Sequence, residues 1–146
     1  MDKPRVLDLF SGGGGSSYGA HLAGCEIVAG VDAWNVAAET FSANFGRGKG
    51  LNIRLEGDTV HPDVEALGNI DLLLASPECT NHTCARGNRP PDESSRMTAW
   101  QVVHYARALK PRWIVVENVV QMRSWIRFDG ILEELRGLHY DCFLPR

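Results

Sequence analysis

Four apolar runs of strand length, separated by turns and helix-spaced segments, restrict this chain more than any other feature. They are "RVLDLF" (Arg5 to Phe10), "EIVAGV", "IDLLLA" (Ile70 to Ala75) and "RWIVVENV". "IDLLLA" is almost continuously apolar, as a strand becomes when both its faces are covered. Between the runs the spacing changes. Ser16 to Ala23 reads as a short helix closed by Gly24. Trp34, Ala37, Ala38, Phe41 and Phe45 fall at helical intervals, with Gly46 as the stop. Trp100, Val103, Ala106 and Leu109 mark another helix, ended by Lys110-Pro111. Asp129 is placed to cap a last helix through Leu135, which Gly137 ends, and "YDCFLPR" begins one more strand. "GRGKG" and residues 83 to 95 read as loops. The alternation predicts an α/β fold, a parallel sheet with helices on both faces. In that architecture ligands sit beyond the carboxyl ends of the strands, so the residues after each strand carry the function.

A chain of 146 residues suits one domain, spanning 1–146, and no internal repeat is present. No stretch approaches the roughly 20 apolar residues of a membrane span, and the start runs directly into a strand with no signal peptide. The four cysteines (Cys25, Cys79, Cys84, Cys142) show no disulfide spacing, which points to a reducing, cytoplasmic setting. The net charge of −3 argues against strong nucleic-acid binding by this chain alone.

After the first strand, "DLFSGGGGSS" opens a helix. Glycines there let a backbone pass close to a ligand, and the helix start offers free N–H groups. The dinucleotide pattern G-x-G-x-x-G is not met: from Gly12 and Gly14 its last position is Ser17, and from Gly13 and Gly15 it is Tyr18. Asp32 follows about twenty residues on, at the end of the second strand, where a carboxylate accepts from ribose hydroxyls or caps the following helix. Asp58 in "EGDTV" has the chemistry to accept from an adenine amino group, although alone it reads as a loop residue. Together they describe a nucleoside site without a phosphate grip.

The third strand runs into "SPECTNHT" and the fourth into Glu117-Asn118. Cys79 is a nucleophile, a zinc ligand with His82 and Cys84, or an ordinary buried thiol. Structural zinc wants four ligands, normally in pairs, and no second pair exists.

In this order the segments resemble the DNA (cytosine-5) methyltransferases. "DLFSGGGG" is similar to the family's D-L-F-x-G-x-G-G motif, "VDAWNVAAETFSANF" to its second segment, Gly57-Asp58 to its third, "SPECTNHT" to its Pro-Cys loop and "KPRWIVVENV" to its Glu-Asn-Val segment. The resemblance covers Val6 to about Leu144. It implies a Rossmann-like methyltransferase fold, S-adenosylmethionine as cofactor with S-adenosylhomocysteine as product, and cytosine flipped out of DNA as substrate. It places the cofactor against the first turn (Phe10, Ser11, Gly12, Gly13, Gly14). The second and third segments add Asp32, Ala33, Trp34, Asp58 and Thr59, and the nucleophile loop adds Pro77. Cys79 is then the nucleophile on cytosine carbon 6, Glu117 the group holding ring nitrogen 3 and Asn118 the residue that positions the loop or the carboxyl.

The chain departs from the family in three ways. Glu78 and Thr80 flank Cys79 where the family has proline and glutamine, and a neighbouring carboxylate disfavours a thiolate unless it points away or a cation such as His82 or Arg86 compensates. Ala33 stands where a bulky residue stacks on adenine, with Trp34 one step later, read here as core at the start of its helix rather than as the stacking group. The family's Gln-x-Arg-x-Arg segment, recognition domain and returning helix are absent. The expectation is a truncated catalytic domain, inactive alone, from a bacterium or phage. It is a fragment, the product of a truncated gene or half of a split enzyme that meets a complementary chain, or else a non-catalytic cofactor-binding or interaction module. A transfer RNA cytosine-5 methyltransferase is the further alternative.

Overall fold

The computed structural model describes residues 2–83, 90 and 92–145. Five parallel strands form one sheet in the order β3-β2-β1-β4-β5: β1 (Arg5–Leu9), β2 (Glu26–Asp32), β3 (Gly50–Asn52), β4 (Leu72–Ala75) and β5 (Trp113–Val116). The helices are α1 (Gly15–Leu22), α2 (Asn35–Phe45), α3 (Pro62–Glu65), α4 (Glu93–Met97), α5 (Gln101–Leu109) and α6 (Phe128–Gly137), with 3-10 turns at Thr98–Trp100 and Val120–Ser124.

Strand alternation sends side chains to two cores. Leu7, Leu9, Leu73 and Ala75 join Val64 of α3 and Val102 and Tyr105 of α5 on one face. Val6, Leu74 and Ile27 meet Phe41 of α2 on the other. A third cluster packs Val103 and Ala106 of α5 against Trp125 and, from α6, Ile131 and Leu135. Coverage is uneven. Register places Trp113 beside Leu72 and Val115 beside Leu74, on the α1–α2 face, yet Trp113 is 63% and Val115 54% exposed. The expected two-sided cover holds over β1 and β2 and fails on that face of β5.

Local departures from the sequence reading have physical causes. Gly50, read as loop, begins β3. A Cβ there would lie 1.8 Å from the Ala38 carbonyl oxygen, so only glycine lets this edge strand approach α2 so closely. Glu93 to Ser95, read as loop, are helical, because Asp92 caps α4 by accepting from the Ser94 amide at 2.9 Å. Asp129 lies in the first turn of α6, whose N-cap position is Arg127. Residues 138 to 145 form no strand. His139 turns left-handed (φ 70°) behind α6, and Tyr140 instead donates its hydroxyl to the Pro111 carbonyl at 2.6 Å.

Candidate active site

The carboxyl ends of β1 and β2 hold the glycine turn. Phe10 leaves β1 in a left-handed conformation (φ 59°), unusual for a bulky residue and one that bends the chain away from the sheet at once. The turn is then stapled to β2. The Ser11 amide donates to the Val31 carbonyl at 3.0 Å and the Gly12 amide to Asp32 Oδ2 at 2.9 Å. Asp32 Oδ1 accepts from the Trp34 amide at 2.9 Å. Asp32 is thus more than a solvent-facing cap: it joins the glycine turn to the start of α2. Gly12 is left-handed (φ 53°) with open space where a side chain would project. Ser11 Oγ is buried without a partner.

Beneath the turn, Asp8 is 1% exposed and accepts from Ser17 Oγ of α1 at 2.7 Å. Burial pushes its carboxyl up to about 6, against the lowering effect of the Ser17 bonds. Trp34 corrects an expectation. Its side chain is 66% exposed and no part of the core, because α2 turns Ala37, Ala38 and Phe41 inward and leaves its cap residue outside. Ala33, Asp58 and Thr59 are also exposed. The turn bearing Asp58 is held from α5, where the buried Gln101 donates Nε2 to the Gly57 carbonyl at 2.8 Å. Gln101 was not legible in the sequence, since it sits inside an otherwise apolar helical face.

The β4 and β5 ends are linked directly. The Glu117 amide donates to the Ala75 carbonyl at 2.9 Å, and Asn118 Nδ2 donates to the Pro77 carbonyl at 2.9 Å. The Asn118 amide oxygen in turn accepts from the Val119 amide at 2.8 Å. Asn118 is therefore the bridge between the two loops. Pro77 is buried, whereas Glu78, Cys79, Thr80 and Glu117 are exposed. Cys79 is a free thiol at the surface, not a buried one. Both Glu78 and Cys79 lie open to water, whose high dielectric weakens the effect of one on the other.

His82 does not supply the compensating cation expected of it. It is 6% exposed, packs edge-on against Trp125 at 5.3 Å, and burial holds it below the ordinary histidine pKa. Arg86 and Cys84 lie outside the described residues, so the three-ligand grouping of Cys79, His82 and Cys84 does too. No group of three metal-binding side chains occurs among the described residues. No helix among them is long and apolar enough to cross a membrane.

The residues at the β1 and β2 ends fit a nucleoside-containing cofactor. The turn and strand ends there carry a partly exposed carboxylate, a serine hydroxyl without a partner, open space over Gly12 and an uncovered indole. The family model described as C-5 cytosine-specific DNA methylase matches residues 4–145. The type II methyltransferase M.HindV of Haemophilus influenzae is 31% identical over 93% of this chain, which spans 44% of that protein. M.HgiGI of Herpetosiphon aurantiacus is 33% identical over 82% of this chain, which spans 93% of that protein. Among solved structures, S. pombe Dnmt2 methyltransferase superposes with a TM-score of 0.68 at 26% identity, over 96% of this chain and 42% of its own. On these grounds the chain belongs to the C-5 cytosine-specific DNA methylase family.

Proposed function

We propose that this chain is the cofactor-binding and nucleophile-bearing part of a DNA (cytosine-5) methyltransferase using S-adenosylmethionine. The observation that carries the reading is the Asn118 bond to the Pro77 carbonyl, which ties the Cys79 loop to the strand end bearing Glu117. Cytosine carbon 5 is a poor nucleophile. In this reading the Cys79 thiolate adds to carbon 6, and Glu117, protonated and facing ring nitrogen 3, stabilises the negative charge that the addition places on the ring. Carbon 5 is then nucleophilic. When bound, S-adenosylmethionine supplies an electrophilic methyl group and leaves as S-adenosylhomocysteine. A base removes the carbon-5 proton, and the sulfur leaves carbon 6. Asp32 accepts from the ribose, Ser11 supplies its free hydroxyl and Trp34 offers a stacking face.

Bacterial type II methyltransferases among the relatives support DNA as substrate and a cytoplasmic restriction-modification setting, whose base must be flipped out of the duplex to meet Cys79. The human tRNA (cytosine(38)-C(5))-methyltransferase, 28% identical over 99% of this chain, supports RNA as the alternative. The uncovered face of β5 favours a further reading, in which a complementary segment or chain completes the sheet and brings the recognition domain.

The test is covalent trapping. The chain, alone and mixed with the carboxyl-terminal part of M.HindV, is incubated with the donor and either DNA or transfer RNA containing 5-fluorocytosine. A mass increment on Cys79 is expected with DNA. Trapping on transfer RNA alone would move the substrate to RNA. Donor binding without any adduct would leave a non-catalytic module.

A further inference from the structure

We propose that α4, through Arg96 and Glu93, is the clamp that positions the nucleophile loop, a role that rests on reading Cys79 as the nucleophile. The chain after Cys79 makes a tight turn, with the His82 amide donating to the Cys79 carbonyl at 2.8 Å. Asn81, inside that turn, is held from α4 at two points. Arg96 Nε donates to the Asn81 carbonyl at 3.0 Å, and the Asp92 amide donates to Asn81 Oδ1 at 2.9 Å. Arg96 is itself oriented by Glu93, at 3.7 Å. Glu93 Oε1 also accepts from Trp125 Nε1 at 3.2 Å and pairs with the Arg127 guanidinium, whose Nε lies 3.2 Å away. Trp125 closes the circuit, because its ring is the surface on which His82 lies. A continuous path thus runs from the start of α6 through Glu93 and Arg96 to the peptide that carries Cys79.

The members of this path are not equal. Glu93 and Arg127 have side chains about half exposed, at 48% and 55%, where ion pairs contribute little. Arg96 is 20% exposed, and its bond to the Asn81 carbonyl is charge-assisted and partly shielded from water. Arg96 is therefore the decisive anchor, and Glu93 chiefly sets its orientation. Neither touches a reacting atom, so both are positioning residues. The short helix fixes both contacts at once: its N-cap residue Asp92 supplies the amide that Asn81 accepts from, and its last turn supplies the guanidinium.

Hydrogen exchange on the unmodified 146-residue chain and on Arg96→Ala and Arg96→Lys tests the clamp without DNA or donor. In Arg96→Ala the His82 amide is expected to exchange about tenfold faster, as loss of a local anchor demands, while amides of β1 and β4 keep their protection. Arg96→Lys, which keeps the charge and loses the fork, is expected to fall between. In the trapping mixture that forms adduct, Arg96→Ala is expected to slow Cys79 labelling about tenfold in step with the exchange, with donor affinity unchanged. A general folding defect would move all of these together. If Arg96→Ala does not fold, Arg96→Gln replaces it, since glutamine keeps part of the aliphatic stem and loses the charge-assisted bond to the Asn81 carbonyl. An unaltered His82 amide in the variant that folds overturns the clamp. Absence of adduct in the unsubstituted chain strikes the reading of Cys79 instead and leaves the exchange result standing.

Discussion

His82 stands three residues beyond Cys79 and sets the acid limit of the nucleophile loop. Its two ring nitrogens are buried without partners, and its pKa is lowered by burial first and Arg96 second. A histidine whose folded pKa is depressed contributes stability above its unfolded value of about 6.5, lost as pH falls through the folded value. His82→Phe keeps an aromatic ring against Trp125 and removes both orphaned nitrogens. It is expected to be stabilising at pH 7 by about 1 kcal/mol, and to remove the acid loss below pH 6.5, as read by denaturant unfolding at several pH values. Cys79→Ser separates chemistry from packing at the same loop. Cys79 is exposed, so melting should not change, while covalent trapping should vanish. Glu117→Gln, also at an exposed position, is expected to slow methyl transfer by about 10²- to 10⁴-fold with donor affinity retained.

At the scale of elements, the four apolar runs, their order and the glycine turn were legible because strand-length apolar runs and helix-spaced segments alternate. The misread pieces depend on contacts that sequence spacing does not encode. β3 exists because Gly50 slides under the Ala38 carbonyl. The tail is not a strand because Tyr140 donates to Pro111 behind α6. Trp34 has the right spacing for the core, but a cap position lies outside the helix it starts. The placement of Asp32, Glu117 and the Cys79 loop at strand ends was legible, because each follows an apolar run. Gln101 and Arg96 were not, since they reach their loops from helices distant in sequence. The joint between β1 and α1 carries its own prediction. Asp8 titrates at about 6 in the folded chain against 3.8 for an ordinary aspartate, because burial outweighs the Ser17 hydrogen bonds. The folded state therefore holds this proton more tightly than the unfolded one. Its stabilising effect is complete below pH 3.8 and disappears as pH rises through about 6. Asp8→Asn keeps an oxygen for Ser17 and does not ionise. Its stability relative to the unsubstituted chain is expected to improve by about 3 kcal/mol between pH 3.5 and pH 7, measured as unfolding free energy across that range.

For the molecule as a whole, the unequal cover of the sheet decides behaviour in solution. Trp113 and Val115 extend the row that begins at Val6 and Asp8, yet both are more than half exposed, and among the described residues β5 is the last strand of the sheet. Val120 and Phe143, 66% and 86% exposed, add to the apolar surface of this region. A bare apolar strand at an open edge seeks a partner, and another copy of the chain is available in any concentrated sample. The isolated chain is expected to self-associate as its concentration rises. Trp113→Lys combined with Val115→Lys should return it to a monomer in sedimentation velocity. Both side chains are more than half exposed, so the pair should cost no more than about 1 kcal/mol of folding stability. The carboxyl-terminal part of M.HindV should compete with self-association for the unsubstituted chain and fail to bind the double variant. A strictly monomeric unsubstituted chain that ignores this added segment would show that β5 is a finished edge, leaving the sheet as five strands and the complementary-chain reading without its support.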